Sequence, residues 1–506
     1  MRAVLIRAKN YPPPTLLSQL AHPVARSRRN FGRNPWTLLR IILSLQQIFV
    51  LYIFNKLYKL MLTIIVLVQL LIVLSLIFIG ARVGGIGLGI YGMIGVFILV
   101  FIFGLPPGNI PIDVMLIIAS VITATAALQA AGGMDYMVEK ASKFLHKHPE
   151  QITYLGPLVT WLFTMLAGTA HTSYSLLPII AEISKNSKIR PERPLTVATI
   201  AASLGITASP MSAATAAVIS SELLGGMGVE LIDVLIVCIP ASLIAIIVAA
   251  FVQNRVGKEL EDDPEYQRRV REGLINTVDE EHTQLQKTLN PRAKWSVLVF
   301  MLGVVLVVLF GSIPALRPSF EVDGVEKTLA MPQTIEIVMM SIAALILLVG
   351  KANVKDAVSG NIFGAGMNAM IAIFGIAWMG DTFFNGNLEF FKSHIADIVT
   401  HYPFLFAVAL FIMSIMLFSQ AATVTTLFPL GIGLGIPPMA LVAMFPAVNG
   451  YFFIPNYPTE VAAINFDTTG TTCVGRYVLN HSFQLAGFIT TFVSIGVGYL
   501  IITLAY

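Results

Sequence analysis

The chain has 506 residues, 56% of them hydrophobic and only 12% charged, with a formal net charge of +4. A soluble globular chain carries roughly twice that charged fraction, and apolar runs near the ~20 residues that cross a bilayer as a helix recur throughout. The composition therefore excludes a soluble globular protein and fits an all-α polytopic membrane protein. Its basic residues sit in loops and at the N-terminus, which argues against a nucleic-acid partner, and two cysteines, Cys238 and Cys473, are too few for a disulfide framework or a metal cluster.

Residues 1–60 form a basic extension holding ten Lys or Arg (Arg2 to Lys59) and no Asp or Glu. Met61 then opens a clean apolar run, MLTIIVLVQLLIVLSLIFIG. Three readings stand: translation starts at Met61, Trp36–Tyr58 is an extra weak membrane segment, or the stretch is an organellar targeting peptide. The first is the working expectation.

Apolar spans are predicted at about 62–80, 84–104, 112–131, 195–224, 231–252, 295–313, 334–350, 360–380, 438–464 and 481–505. Gly84, Gly85, Gly87 and Gly89 give the second span a small-residue face suited to close helix packing. Asp113, Asp135 and Asp381 fall at span ends and read as interfacial, and His146 and His148 belong to a solvated loop without further metal ligands.

Two further segments, 151–184 and 403–436, are apolar but interrupted. The first carries AGTAHTSYSLLP (Ala167 to Pro178) and the second MLFSQAATVTTLFPLGI (Met416 to Ile432). Aligning Pro178 with Pro429 sets Gly168 against Ser419, Thr169 against Gln420, Ala170 against Ala421 and Thr172 against Thr423. Lys140, Lys143 and Lys147 precede the first segment and Lys185, Lys188, Arg190 and Arg193 follow it. Short cytoplasmic loops hold an excess of Lys and Arg, so both flanks read as cytoplasmic and the segment as a re-entrant hairpin. Residues 253–294, with eight basic residues, are then a cytoplasmic linker, within which DDPEYQRRVREGL reads as a short amphipathic helix.

Each half, 61–252 and 295–506, thus holds five spans and one hairpin. An odd number of crossings inverts the second half relative to the first, the arrangement of inverted-repeat transporters.

The span after each hairpin is also broken, by Pro210 in GITASPMSAATAAVI and by Pro455 and Pro458 in FFIPNYPTEVAAI. Proline removes a helical hydrogen bond, and irregular backbone at membrane depth is tolerated only within protein or beside a wet cavity. Two tips and two unwound helices are therefore expected to meet at one binding site. With few Lys or Arg in the spans, helix N-termini would supply the positive potential for a small anion. The candidate binding residues are Thr169, His171, Thr172, Ser209, Ser212, Ser419, Gln420, Thr423, Tyr457 and Thr459, with their hydroxyls and amides expected to donate. His171 and Glu460 are the coupling candidates; no metal site and no cofactor is expected beyond a coupling proton or sodium ion.

From Met61 onward the chain resembles the anaerobic C4-dicarboxylate transporters of the Dcu type, nearest the DcuA and DcuB group. The stretches that carry the likeness include GARVGGIGLG (80–89), PGNIPIDVMLII (107–118), LAGTAHTSYSLLPII (166–180), ITASPMSAA (206–214), LFSQAATVTTLFP (417–429) and FIPNYPTEVAAINFDTTGTT (453–472). Ala170 stands where glycine is usual in that family. The resemblance implies an inner-membrane protein that exchanges or takes up fumarate, malate, succinate and aspartate. Its expected partners are those acids and the lipid bilayer, with a homodimer left open. The rival classes are a transporter of another small anion, a cation/proton antiporter, a channel and a membrane enzyme. An antiporter of that kind should show a buried acidic pair, a channel a continuous polar stripe, and an enzyme a nucleophile–base set; none is visible in the sequence.

Overall fold

In hydrocarbon a polypeptide satisfies its backbone groups internally, so each apolar run closes into a helix. The computed structural model describes residues 35–83, 85–275, 290–322, 325–391, 402, 404–417, 419–455, 457–475 and 480–505. The first half contains α1 (Pro35–Val83), α2 (Gly87–Phe97, continued by a π-helical turn at Ile98–Ile102), α3 (Ile112–Ala130), α4 (Gly133–His146), α5 (Ile152–Ala167), α6 (Leu177–Asn186), α7 (Glu192–Thr207), α8 (Ala213–Val218) and α9 (Leu231–Gln253). After α10 (Pro264–Arg271), the second half contains α11 (Ala293–Ser312), α12 (Met331–Gly350), α13 (Val354–Ser359), α14 (Asn361–Gly386), α15 (Phe404–Leu417), α16 (Gln420–Gly433), α17 (Pro438–Met444), α18 (Pro458–Phe466) and α19 (Phe483–Ala505). A small antiparallel hairpin, β1 (Ser319–Val322) and β2 (Val325–Thr328), which the sequence reading did not anticipate, joins α11 to α12.

Among the described residues seven helices are long and apolar enough to cross a membrane: α1 over Leu60–Gly80, α3, α9, α11, α12, α14 and α19. Bare apolar side chains such as Leu71, Phe101, Leu348 and Phe492 stand on the outer surface, as a lipid-facing protein requires. The molecule is a multi-pass membrane protein.

The other expected spans are shorter or broken. The span expected at 84–104 is the shorter apolar helix Gly87–Ile102. The span expected at 195–224 stops at Thr207, and the one at 438–464 passes through a 3-10 segment, Phe445–Phe453, and turns by 56° into α18. Trp36–Tyr58 and Met61 lie in one unbroken helix, α1, while the extension before Pro35 falls outside the described residues. The lysine-bearing stretch before the first interruption, expected to be a loop, is mostly the amphipathic helix α4.

Helix packing sorts the molecule into two groups, and each sequence half contributes to both. One group joins α2 and α3 to α11, α12 and α14; the other joins α5–α9 to α15–α19; the two groups meet where α14 packs on α16 and α3 packs on α8. Small residues set the closest approach in the first. A Cβ built on Gly92 would lie 2.4 Å from the Gly375 carbonyl carbon, and one on Gly375 would lie 1.9 Å from Gly89 O. Of the small-residue face anticipated in the second span only Gly89 is used against α14, joined there by Gly92; Gly87 packs on Val83 and Gly80 of α1, Gly85 has nothing within 4 Å of a Cβ, and Gly84 lies outside the described residues. In the second group α7 is the central element, with all sixteen of its residues buried.

The linker fastens the second group at one end. Asp263 caps α10 by accepting from the Glu265 and Tyr266 N–H groups at 2.9 and 3.1 Å, and it pairs with Arg190, which also holds Glu192 at 2.5 Å. Arg193 reaches Glu259 at 3.0 Å, and Arg269 donates to Thr468 O at 3.0 Å. The Glu192 N–H donates to Thr471 Oγ1 at 3.2 Å, so loops from both halves meet at the linker. Asp381, expected at a water interface, is instead buried. Its Oδ2 accepts from the Asn109 N–H at 2.6 Å and its Oδ1 from Asn385 at 2.7 Å, because the 104–111 loop folds over the end of α14.

Candidate functional site

The first interruption is built on a glycine. Gly168 closes α5 in the left-handed region (φ 69°), where a Cβ would sit 2.9 Å from Met211 O. Both demands select glycine. Thr169 follows in extended backbone (φ −148°, ψ 137°), and its Oγ1 accepts from the His171 N–H at 3.3 Å to open a 3-10 turn, Ala170–Ser175. At the second interruption Ser419 has the same extended backbone (φ −152°, ψ 121°) and accepts from the Ala422 N–H at 3.2 Å, capping α16. The structural counterpart of Ser419 is thus Thr169, one residue away from the Gly168 that the proline alignment chose. Pro178 sits in the first turn of α6, where a missing N–H costs nothing, whereas Pro429 lies deep inside α16. The two prolines have different jobs, so they do not set a common register.

Both interruptions open on one cavity of about 620 Å³, within the usual range for a small-molecule site. One wall comes from the interruptions and the broken helices: Thr169 and His171, Ser419 and Gln420, Met211 and Ala213, and Tyr457 with Pro458. The opposite wall belongs to the other packing group: Leu88 of α2, Val121 and Thr125 of α3, and Asn368 and Ile373 of α14. No Lys, Arg, Asp or Glu borders it among the described residues. The N-termini of α16 and α18 do, and the first N–H groups of α16 lack intrahelical partners apart from the Ala422 N–H held by Ser419, whereas α18 opens on Pro458, which has no N–H, and its Glu460 N–H donates to Tyr457 O at 3.0 Å. Such termini attract anions without a formal charge.

Of the residues singled out from the sequence, Thr169, His171, Ser419, Gln420 and Tyr457 border this cavity. Thr172, Ser209, Ser212, Thr423 and Thr459 stand behind it and are buried. Thr172 donates to Thr169 O at 3.2 Å, Thr423 donates to Ser419 O at 2.8 Å, and Ser209 accepts from the Met211 N–H at 3.2 Å. Ser212 caps α8, accepting from the Thr215 N–H at 3.1 Å. These four hold the broken backbone in shape. Thr459 Oγ1, Glu460 Oε2 and His171 Nδ1 differ: all are buried with no hydrogen-bond partner among the described residues. Helix α18 packs on the 170–175 turn, so the three belong to one neighbourhood.

Gln420 departs from its expected donor role. Its Nε2 donates to Tyr451 Oη at 2.7 Å and Asn449 Oδ1 at 3.0 Å, and reaches Ser203 O at 3.4 Å. Tyr451 lies against Tyr457, ring centroids 4.3 Å apart. Sequence reasoning missed Asn449, Tyr451, Thr125 and Asn368. Asn368 and Asn449 each carried a visible signal, an amide in the middle of an apolar span.

Comparison with known proteins identifies the family. Residues 65–506 match the family described as anaerobic C4-dicarboxylate membrane transporter. The C4-dicarboxylate transporter DcuA of Escherichia coli K12 is 41% identical over 436 residues, covering 86% of this chain and 98% of that protein. DcuA of Wolinella succinogenes is 39% identical over 434 residues, with 86% and 98% covered. The anaerobic C4-dicarboxylate transporter DcuB of Escherichia coli O6:H1 is 39% identical over 439 residues, with 86% and 97% covered. Among solved structures, the YdaH transporter of Alcanivorax borkumensis superposes with a TM-score of 0.53 at 17% identity, over 76% of this chain and 85% of that one, a likeness of fold alone.

Proposed function

This chain belongs to the anaerobic C4-dicarboxylate membrane transporter family, and from that premise we propose that the cavity between its two packing groups is where the dicarboxylate is held during transport. The substrates are fumarate, succinate, malate and aspartate, carried across the inner membrane by exchange or ion-coupled uptake. One observation carries the reading: both interruptions and both broken helices converge on one cavity that holds helix N-termini and, among the described residues, no Lys, Arg, Asp or Glu. A dianion entering there meets oriented N–H dipoles and hydroxyl donors without having to displace a resident counter-ion. Asn368 of α14 adds an amide from the opposite wall.

The order of elements supports two inverted repeats of five spans, 61–252 and 295–506, each with a re-entrant hairpin and an unwound helix. Alternating access then follows from moving the group that carries the interruptions against the wall of α2, α3 and α14, which would expose the cavity to each side in turn. A coupling proton or sodium ion would bind in this neighbourhood; the reading is supported by the unpartnered Glu460 Oε2, Thr459 Oγ1 and His171 Nδ1, where a proton or cation would satisfy a buried polar atom.

Counterflow of labelled succinate in proteoliposomes tests the site. Thr169→Leu puts a bulky apolar side chain at the cavity rim. It should abolish counterflow while the protein stays monodisperse in detergent; unchanged succinate affinity would remove the interruptions from the binding site.

A further inference from the structure

The orientation of the Gln420 amide can be read from its neighbours rather than assumed. Asn449 Nδ2 donates to Pro446 O at 3.0 Å, which leaves Asn449 Oδ1 as the atom turned to Gln420. Ser203 contributes a backbone carbonyl on the same side. Both are acceptors, so the atom facing them is the amide nitrogen. Asn449, Tyr451 and Ser203 are all buried, and none borders the cavity. The two Nε2 protons are therefore directed into the protein. Gln420 Oε1 accepts from no donor among the described residues and is not occluded, and Gln420 itself borders the cavity.

We infer that Gln420, its amide locked by Asn449, Tyr451 and Ser203, presents an acceptor oxygen to the substrate and selects C4-dicarboxylates carrying a hydrogen-bond donor at C2. The inference rests on the cavity being the dicarboxylate site. Both carboxylates of the substrate are acceptors and must be held by the helix N-termini and hydroxyls; opposite Oε1 a carboxylate oxygen would be repelled. A C2 hydroxyl or ammonium can donate to Oε1, whereas the methylene of succinate offers nothing. A site built to bond a substrate OH or NH discriminates against the analogue without it. Water in an open cavity softens that penalty by occupying the vacant acceptor. Asn449 is a positioning residue here, since it acts only through Gln420.

The test is competition against labelled succinate in proteoliposomes containing the full chain, with unlabelled L-malate, L-aspartate and succinate as competitors. Malate and succinate differ only in the C2 hydroxyl. The wild type should bind malate and aspartate at least tenfold more tightly than succinate, about 1.4 kcal/mol. Gln420→Met, which keeps the side-chain length without the amide, should bring the malate-to-succinate ratio to about one. Asn449→Leu leaves Gln420 in place and frees its amide to turn, and should lower the ratio at least threefold. A wild-type ratio of one or below overturns the inference. So does a wild-type ratio retained in Gln420→Met or, where that variant does not fold, in Asn449→Leu. Either result leaves the transport reading intact so long as dicarboxylates compete. Absence of competition by every dicarboxylate in the wild type would overturn the transport reading, and this inference with it.

Discussion

Gly168→Ala separates the two reasons for a glycine at the first interruption. The residue has φ 69°, and its new Cβ would meet Met211 O at 2.9 Å, Met211 C at 3.1 Å and Ser212 N at 3.3 Å. Left-handed backbone costs a residue with a Cβ about 1–2 kcal/mol. The contact adds an overpacking cost of about 1–3 kcal/mol, because it falls on backbone: Met211 cannot retreat without taking Ser212 and the start of α8 with it. Gly228 supplies the control, with φ 87° and nothing within 4 Å of its Cβ. Gly228→Ala therefore carries the first cost alone, away from the cavity. Thermal unfolding in detergent should show the larger fall in midpoint for Gly168→Ala. Succinate counterflow should show at least tenfold weaker binding for that variant and wild-type affinity for Gly228→Ala. Equal midpoints for the two, or wild-type affinity in folded Gly168→Ala, would refute the argument that backbone contact between Gly168 and Met211 shapes the site.

Three other perturbations probe different parts of the molecule. Glu460→Gln keeps the size of the side chain but removes an ionisable oxygen, so substrate exchange should persist while its response to an imposed proton or sodium gradient disappears; an unaltered gradient response would exclude Glu460 from coupling. Gly375→Val adds a branched side chain at a position where even a Cβ would lie 1.9 Å from Gly89 O, and should prevent α2 from seating on α14, seen as loss of the monodisperse peak in gel filtration. Arg190→Ala leaves Glu192 and Asp263 without the cation they share, a loss of roughly 3 kcal/mol for a mostly buried pair, and linker cleavage by added protease should accelerate. The same contact has a pH signature. Burial pushes the Asp263 carboxyl up, but the Tyr266 N–H and the Arg190 guanidinium outweigh it and hold the group below its ordinary range. Its stabilisation is thus complete above the unfolded value near ~3.9 and is lost as pH falls through the lower folded value, so linker protection should weaken only in strong acid and should do so less in Arg190→Ala.

Much of this architecture is local in origin and could be read along the chain. Apolar length marked the seven full spans, since hydrocarbon leaves the backbone no partner but itself, while at 84–104, 195–224 and 438–464 it marked helices that are shorter or broken. Gly168, Ser419, Pro210, Pro455 and Pro458 marked where helices must break, because a left-handed residue, a cap or a missing N–H acts within one turn. The resemblance in those same stretches carried the family. Which side chain faces the substrate is a different kind of question. Thr169 and Thr172 are three residues apart, yet one borders the cavity and the other is committed to the Thr169 carbonyl. A hydroxyl chooses between a carbonyl one turn back and open space according to the phase of its helix and what packs beside it, and neither is written in its immediate neighbours. The same holds for the wall contributed by Thr125 and Asn368, and for the proline alignment that set Gly168 rather than Thr169 against Ser419. Only tertiary structure turned the Gln420 nitrogen inward, because the acceptors that claim it, Ser203 and Asn449, come from positions 217 and 29 residues away in the chain.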